Sequence, residues 1–173
     1  KFFRVFWKSF LFVEVKDMLK IFKRTKEDDV YSPVAGTCIK IEDVKDQMFA
    51  NKLLGDGIAI LPSKETIYAP IDGQLIMLAN TKHAFGIKNK RGLEILVHVG
   101  LDSVKLKGKG FTVYKELHEH VRKGEAILSF DQALFEQEQI AMTVLIIITS
   151  KSVITHKTYG QVSSAHNIMK IAL

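Results

Sequence analysis

The sequence predicts an all-β fold of the sandwich or barrel kind, with only short helical turns. Three observations carry this expectation. Short runs rich in Val, Ile and Phe recur from Val30 onward, bounded by Gly, Asp, Asn and Pro at the spacings of sandwiches and barrels. Helical material is sparse, with residues 47–54 and 134–139 as the candidate turns or short helices. An internal echo links Ser32-Pro33-Val34-Ala35-Gly36 to Ala69-Pro70-Ile71-Asp72-Gly73, each leading into a strand-like run. In both copies Pro ends one segment and Gly permits a tight turn. The echo is either two β-turns alike by chance or two related β-units packed as a nearly closed barrel.

The elements follow in order. Residues 36–41 open at a glycine, residues 57–62 end at Pro62, and residues 66–69 end before Pro70. Residues 73–78 again open at a glycine, and residues 83–88 and 94–99 flank Asn89-Lys90-Arg91-Gly92, a good turn sequence. Residues 126–130 follow Gly124, residues 143–149 hold the run Val144-Leu145-Ile146-Ile147-Ile148, and residues 167–171 close the list of expected strands. That apolar run is far below the roughly 20 residues that span a bilayer. The length suits one domain with a real core.

Charge is unevenly placed. The chain carries 25 Lys+Arg and 19 Asp+Glu, a net charge of +6. Residues 1–26 alone hold eight basic and two acidic residues, so residues 27–173 carry 17 of each sign and are neutral overall. A nucleic-acid partner therefore loses its main support, because the globular part has no surplus of positive charge for a phosphate backbone. The single cysteine, Cys38, excludes an internal disulfide and a multi-Cys zinc cage, and it fits a reducing cytoplasm.

The basic leader also holds the only Trp and six of the eleven Phe. Two readings stand for it. Residues 1–26 form a basic amphipathic helix on an anionic membrane surface, or residues 1–17 are foreign to the domain and its natural start is Met18. The second is preferred because the chain opens on Lys. Glu27, Asp28 and Asp29 then read as a polar linker, with the domain occupying residues 30–173.

Among the six histidines, His83 and His98 stand out. Period two along residues 94–99 puts Ile95, Val97 and Val99 on one wholly apolar face, which should meet the core. Leu96 and His98 then share the other face, just before Gly100. His83 follows Thr81 in Thr81-Lys82-His83-Ala84-Phe85-Gly86, with both on one side if the segment is extended. Spacing does not place the two histidines together, but adjacent antiparallel strands joined at residues 89–92 would let them meet.

Four blocks then match a known pattern. They are Gly55-Asp56-Gly57-Ile58-Ala59-Ile60-Leu61-Pro62, Ala69-Pro70-Ile71-Asp72-Gly73, Thr81-Lys82-His83-Ala84-Phe85-Gly86 and the run from Leu96 through His98, Asp102 and Lys105 to Gly108. Together they resemble the glucose-type enzyme IIA of the bacterial phosphoenolpyruvate-dependent sugar phosphotransferase system, from about Tyr31 to the C-terminus. The resemblance implies an antiparallel β-sandwich built as a small barrel. It implies that His98 receives a phosphoryl group at Nε2 from the histidine-containing phosphocarrier protein and passes it to a cysteine on the IIB domain of a sugar permease. It places the second active-site histidine on His83, its orienting threonine on Thr81 and an aspartate near the phosphohistidine on Asp102. Such a mechanism requires no metal or nucleotide cofactor, and the sugar never touches this domain.

The same resemblance assigns docking to the segment carrying Met48, Phe49, Leu53 and Leu54, with Leu96 beside His98. Asn51 and Lys105 replace acidic residues of the enteric relative, which weakens charge complementarity toward a basic carrier face. A zinc-dependent peptidase is the alternative, from His98-x-x-x-Asp102 and His118-Glu119-His120; the spacing is short for such an enzyme and the surroundings do not match. A lipoyl carrier fails because Lys170 is three residues from the C-terminus rather than at a hairpin tip.

Overall fold

A computed structural model describes residues 27–173. The two readings of the leader, a membrane-surface helix over 1–26 and a start at Met18, lie outside the described residues. In chain order the elements are β1 (Glu27–Tyr31), β2 (Gly36–Lys40), a 3-10 turn (Ile41–Asp43), α1 (Gln47–Ala50), β3 (Asp56–Pro62), β4 (Thr66–Tyr68), β5 (Gly73–Leu78), β6 (Ala84–Lys88) and β7 (Glu94–Leu101). A second 3-10 turn (Ser103–Leu106), β8 (Phe111–Val113), β9 (His120–Val121), β10 (Ala126–Phe130), α2 (Gln132–Gln137), β11 (Ala141–Ile148), β12 (Val153–Lys157), β13 (Gly160–Val162) and β14 (Asn167–Ala172) complete the fold.

The strands form three antiparallel sheets. The large sheet runs β13-β2-β3-β11-β7-β6-β5-β9, and two small sheets run β4-β10-β8 and β1-β14-β12. One core joins all three, with Ile60, Phe85, Val97 and Ile146 from the large sheet meeting Leu128 and Ile168 from the small ones. The uninterrupted apolar run of β11 is explained by its place at the middle of the large sheet. Val144, Ile146 and Ile148 face the main core, whereas Leu145 and Ile147 point into a second cluster with Ile41, Val44, Phe49 and Ala59. That second cluster is the segment from Ile41 to α1 folded over the outer face of the sheet, and it walls one side of the site.

The sequence echo has a geometric counterpart. β2 and β5 each open on the echoed glycine, and each lies second from an edge of the large sheet, at opposite ends. A Cβ on Gly36 would strike the Leu61 carbonyl oxygen, and one on Gly73 the Lys88 carbonyl oxygen. Both positions therefore need glycine because the neighbouring strand crosses too closely for a side chain.

One expectation is corrected here. Glu27, Asp28 and Asp29 are not a linker but the first residues of β1, paired with Ala172, Ile171 and Lys170 of β14. The Asp28 carboxylate holds Arg91 at 2.5 Å and accepts a hydrogen bond from Asn89 at 3.0 Å, so this acidic stretch is tied to the β6–β7 turn.

Candidate functional site

The β6–β7 hairpin builds the site. Its turn is fixed by Asn89, whose side-chain oxygen accepts hydrogen bonds from the Arg91 and Leu93 backbone N–H groups, both at 2.9 Å. That closure sets the register, which puts His98 opposite Ala84 on one side and opposite Leu145 of β11 on the other. Strand alternation does the rest: Ile95, Val97 and Val99 are buried in the main core, and His98 emerges with Leu96 on the outer face.

His83 sits just before β6, at the end of the turn that joins it to β5. In that turn Lys82 adopts a left-handed conformation (φ 60°) and its N–H donates to the Ala79 carbonyl at 2.7 Å. The His83 carbonyl in turn accepts from the Val99 N–H at 2.8 Å, which fastens it beside the His98 strand. The two rings meet edge to face, with centroids 4.8 Å apart and planes at 77°. Thr81 completes the group, its hydroxyl 2.6 Å from Nδ1 of His83.

The surroundings keep both imidazoles uncharged at neutral pH. Burial, reinforced by His83 and opposed by Asp46, brings the His98 pKa down from 6.5 to about 4. Burial also lowers the pKa of His83. The ring of Phe49 lies 5.1 Å from that of His98, tilted by 59°, and supplies much of the apolar enclosure. Nδ1 of His98 is buried with no hydrogen-bond partner.

Not every expected residue joins this cluster. Among the described residues Asp102 makes no hydrogen bond or ion pair with either imidazole; its exposed carboxylate holds Lys105 Nζ at 2.8 Å. The docking group divides as well. Met48, Leu53 and Leu54 are 51%, 73% and 43% exposed, whereas Phe49 is 5% exposed. Phe49 is therefore a wall of the site rather than part of a docking surface, and Leu96 packs partly buried on the same cluster. The helix is also shorter than its sequence suggests, so Leu53 and Leu54 lie in the turn beyond α1. Sequence reasoning missed Asp46, whose carboxylate caps α1 by accepting from the Met48 N–H at 2.8 Å and whose charge reaches His98. An Asp directly before a helix was the available signal.

A family model described as phosphoenolpyruvate-dependent sugar phosphotransferase system, EIIA 1, matches residues 28–154. The chain belongs to this EIIA family. It is 34% identical over 162 residues to a glucose-specific EIIA component of Bacillus cereus, covering 91% of this chain and 98% of that protein. The corresponding component of Haemophilus influenzae is 34% identical over 148 residues, covering 84% and 89%. Among solved structures, the glucose permease IIA from Mycoplasma capricolum aligns with a TM-score of 0.79 at 33% identity, covering 84% of this chain and 96% of that one. As an EIIA component the chain is a phosphotransferase component, a phosphocarrier of a sugar phosphotransferase system.

The zinc peptidase reading has no support in this EIIA chain. His120 lies in β9 at the edge of the large sheet, three strands from β7, about 14 Å away at ordinary strand spacing. The Glu119 carboxylate is held by Lys115 at 2.8 Å. His98 and the His118-Glu119-His120 group therefore cannot share one ion. No helix among the described residues is long and apolar enough to cross a membrane.

Proposed function

We propose that this EIIA component carries its phosphoryl group on Nε2 of His98, taking it from the histidine-containing phosphocarrier protein and delivering it to the cysteine of a permease IIB domain. The glucose-specific relatives favour glucose as the sugar served, at the cytoplasmic face of a membrane permease. The observation that carries the reading is the pair of uncharged imidazoles, one enclosed and one hydroxyl-bound, meeting on the outer face of the sheet.

The chemistry uses each group once. The Nε2 lone pair of neutral His98 attacks the phosphorus held by the carrier, the carrier's N–P bond breaks, and its electron pair returns to the carrier's imidazole. Nδ1 of His98 keeps its proton throughout. Thr81 donates its hydroxyl proton to Nδ1 of His83, which fixes the tautomer bearing hydrogen on Nε2. His83 Nε2–H then donates to the equatorial oxygens, whose charge grows in transit. In the second transfer a cysteine thiolate attacks phosphorus and the electron pair of the Nε2–P bond returns to His98. Met48, Leu53 and Leu54 offer apolar contact to both partners, and Asp102 with Lys105 offers a charged rim.

The test is incubation of the full chain with phosphoenolpyruvate, enzyme I and the carrier protein, followed by mapping of acid-labile phosphate. The label should fall on His98 and be absent from His98→Ala. A label on any other residue overturns the assignment.

A further inference from the structure

Four cationic side chains converge at the opposite end of the sheet from the histidine pair. A cleft of about 660 Å³ lies between the β6–β7 turn and the β9–β10 turn. Lys88, Lys90 and Arg91 line it from the first turn and Arg122 from the second, with Asp72 as its one acidic lining residue. The volume is that of a small-molecule site.

This concentration is not inherited from composition, since residues 27–173 are neutral overall. It is made by topology. Glu94, Lys88, Gln74 and His120 form one row across β7, β6, β5 and β9, which brings two turns remote in sequence to the same sheet end. The charges are also unequally committed. Lys88 is held by Glu94 at 2.9 Å and Arg91 by Asp28 at 2.5 Å. Asp72 is turned to the Lys123 backbone N–H, at 2.8 Å. Lys90 and Arg122 are exposed and have no ion pair among the described residues. Like charges gathered in a partly enclosed cleft raise the local potential and favour an anion there.

We propose that this cleft binds a phosphate-bearing anion, at a site separate from the histidine pair. A guanidinium and an ammonium with free donors suit a tetrahedral dianion better than a single carboxylate. Ala84, opposite His98, and Lys88 are four residues apart on β6, so the cleft begins about 13 Å from the histidine pair along the strand. Parity puts Lys88 and Ala84 on the same face of the sheet. The phosphate could belong to a free metabolite or to a lipid headgroup, and the experiment separates these sources.

The full chain is titrated with inorganic pyrophosphate while backbone amide resonances are followed. In parallel it is mixed with vesicles of phosphatidylglycerol or of phosphatidylcholine. Both measurements are repeated on the double variant Lys90→Gln/Arg122→Gln, whose fold is checked by its thermal midpoint. Saturable shifts at Gly73, Asn89, Lys90 and Arg122, weakened at least tenfold in the double variant, assign a free phosphate ligand. Binding to phosphatidylglycerol alone, weakened by the same factor in the double variant, assigns a lipid headgroup. If neither probe's binding depends on Lys90 and Arg122, the site does not exist.

Discussion

His83 meets His98 edge to face at 4.8 Å, and the backbone bond from Val99 N–H to the His83 carbonyl holds the pair in place independently of either side chain. Substitution of one ring should therefore leave the other in position, which makes their roles separable.

His83→Gln should still accept a phosphoryl group on His98 within a few-fold of the normal rate. Delivery to the IIB cysteine should fall by about 10²–10³-fold, the usual effect of removing one donor to a developing charge. Rapid-quench kinetics of the two half-reactions measures both. Normal delivery would end the role given to His83.

In the proposed mechanism Thr81 acts through His83, so its loss should show first in a tautomer and only then in a rate. Thr81→Val should redistribute hydrogen between the two His83 nitrogens and slow delivery by about tenfold, in line with the net worth of one hydrogen bond. Thr81→Ser should restore both. Nitrogen chemical shifts of His83 report the tautomer directly, and an unchanged spectrum in Thr81→Val would remove Thr81 from the mechanism.

Acid should weaken the fold through His98. Its folded pKa, about 4, lies below the ordinary 6.5, so the fold favours the neutral ring. The resulting stability is complete above pH 6.5 and is lost as pH falls toward 4. At about 1.4 kcal/mol per unit it amounts to about 3 kcal/mol. Urea midpoints across this range, compared with those of His98→Leu, isolate the contribution. Equal pH dependence in both proteins would contradict it.

Phe49 connects packing to titration. Phe49→Ala should cost about 3–5 kcal/mol as a buried aromatic truncation. It should also admit water beside His98 and raise its pKa from about 4 toward 6.5. An NMR titration of the His98 ring in the variant decides this, and a pKa still near 4 would place the cause of the enclosure elsewhere.

Gly100 follows His98 by two residues with φ +78°, and an added Cβ would lie 2.5 Å from a ring carbon of Phe135. Gly100→Ala should therefore destabilise by about 2–3 kcal/mol, through backbone strain together with overpacking. Chemical denaturation gives the value; a neutral result would mean that α2 can shift freely.

The interior of the fold was legible because interior strands carry strong patterns. Alternation across Glu94–Val99 gave the correct faces for Leu96 and His98, and Asn89–Gly92 gave the hairpin that joins the two histidine segments. The strands that went unread are β1, β8, β9, β12 and β13, and every one of them is a sheet edge. Edges are short or charged, as in Glu27-Asp28-Asp29, and they are held by backbone hydrogen bonds that leave little apolar signature. The same limit applies to the site. Phe49 reads equally as core or surface on a short helix, and only the fold of residues 41–50 over β11 shows that it faces His98. Asp102 lies close to His98 in sequence, yet a left-handed turn at φ 62° sends its carboxylate to Lys105.

The pairing of Glu27 with Ala172 places the two ends of the described chain on adjacent antiparallel strands, side by side. A pull applied at both ends would open β1 from β14 one rung at a time, as a zipper, rather than shear the sheet all at once. His98 rides on an inner strand of a different sheet, away from the first rungs to open. Attachment to a neighbour at either end would thus load β1 and β14 before the face that carries the two histidines.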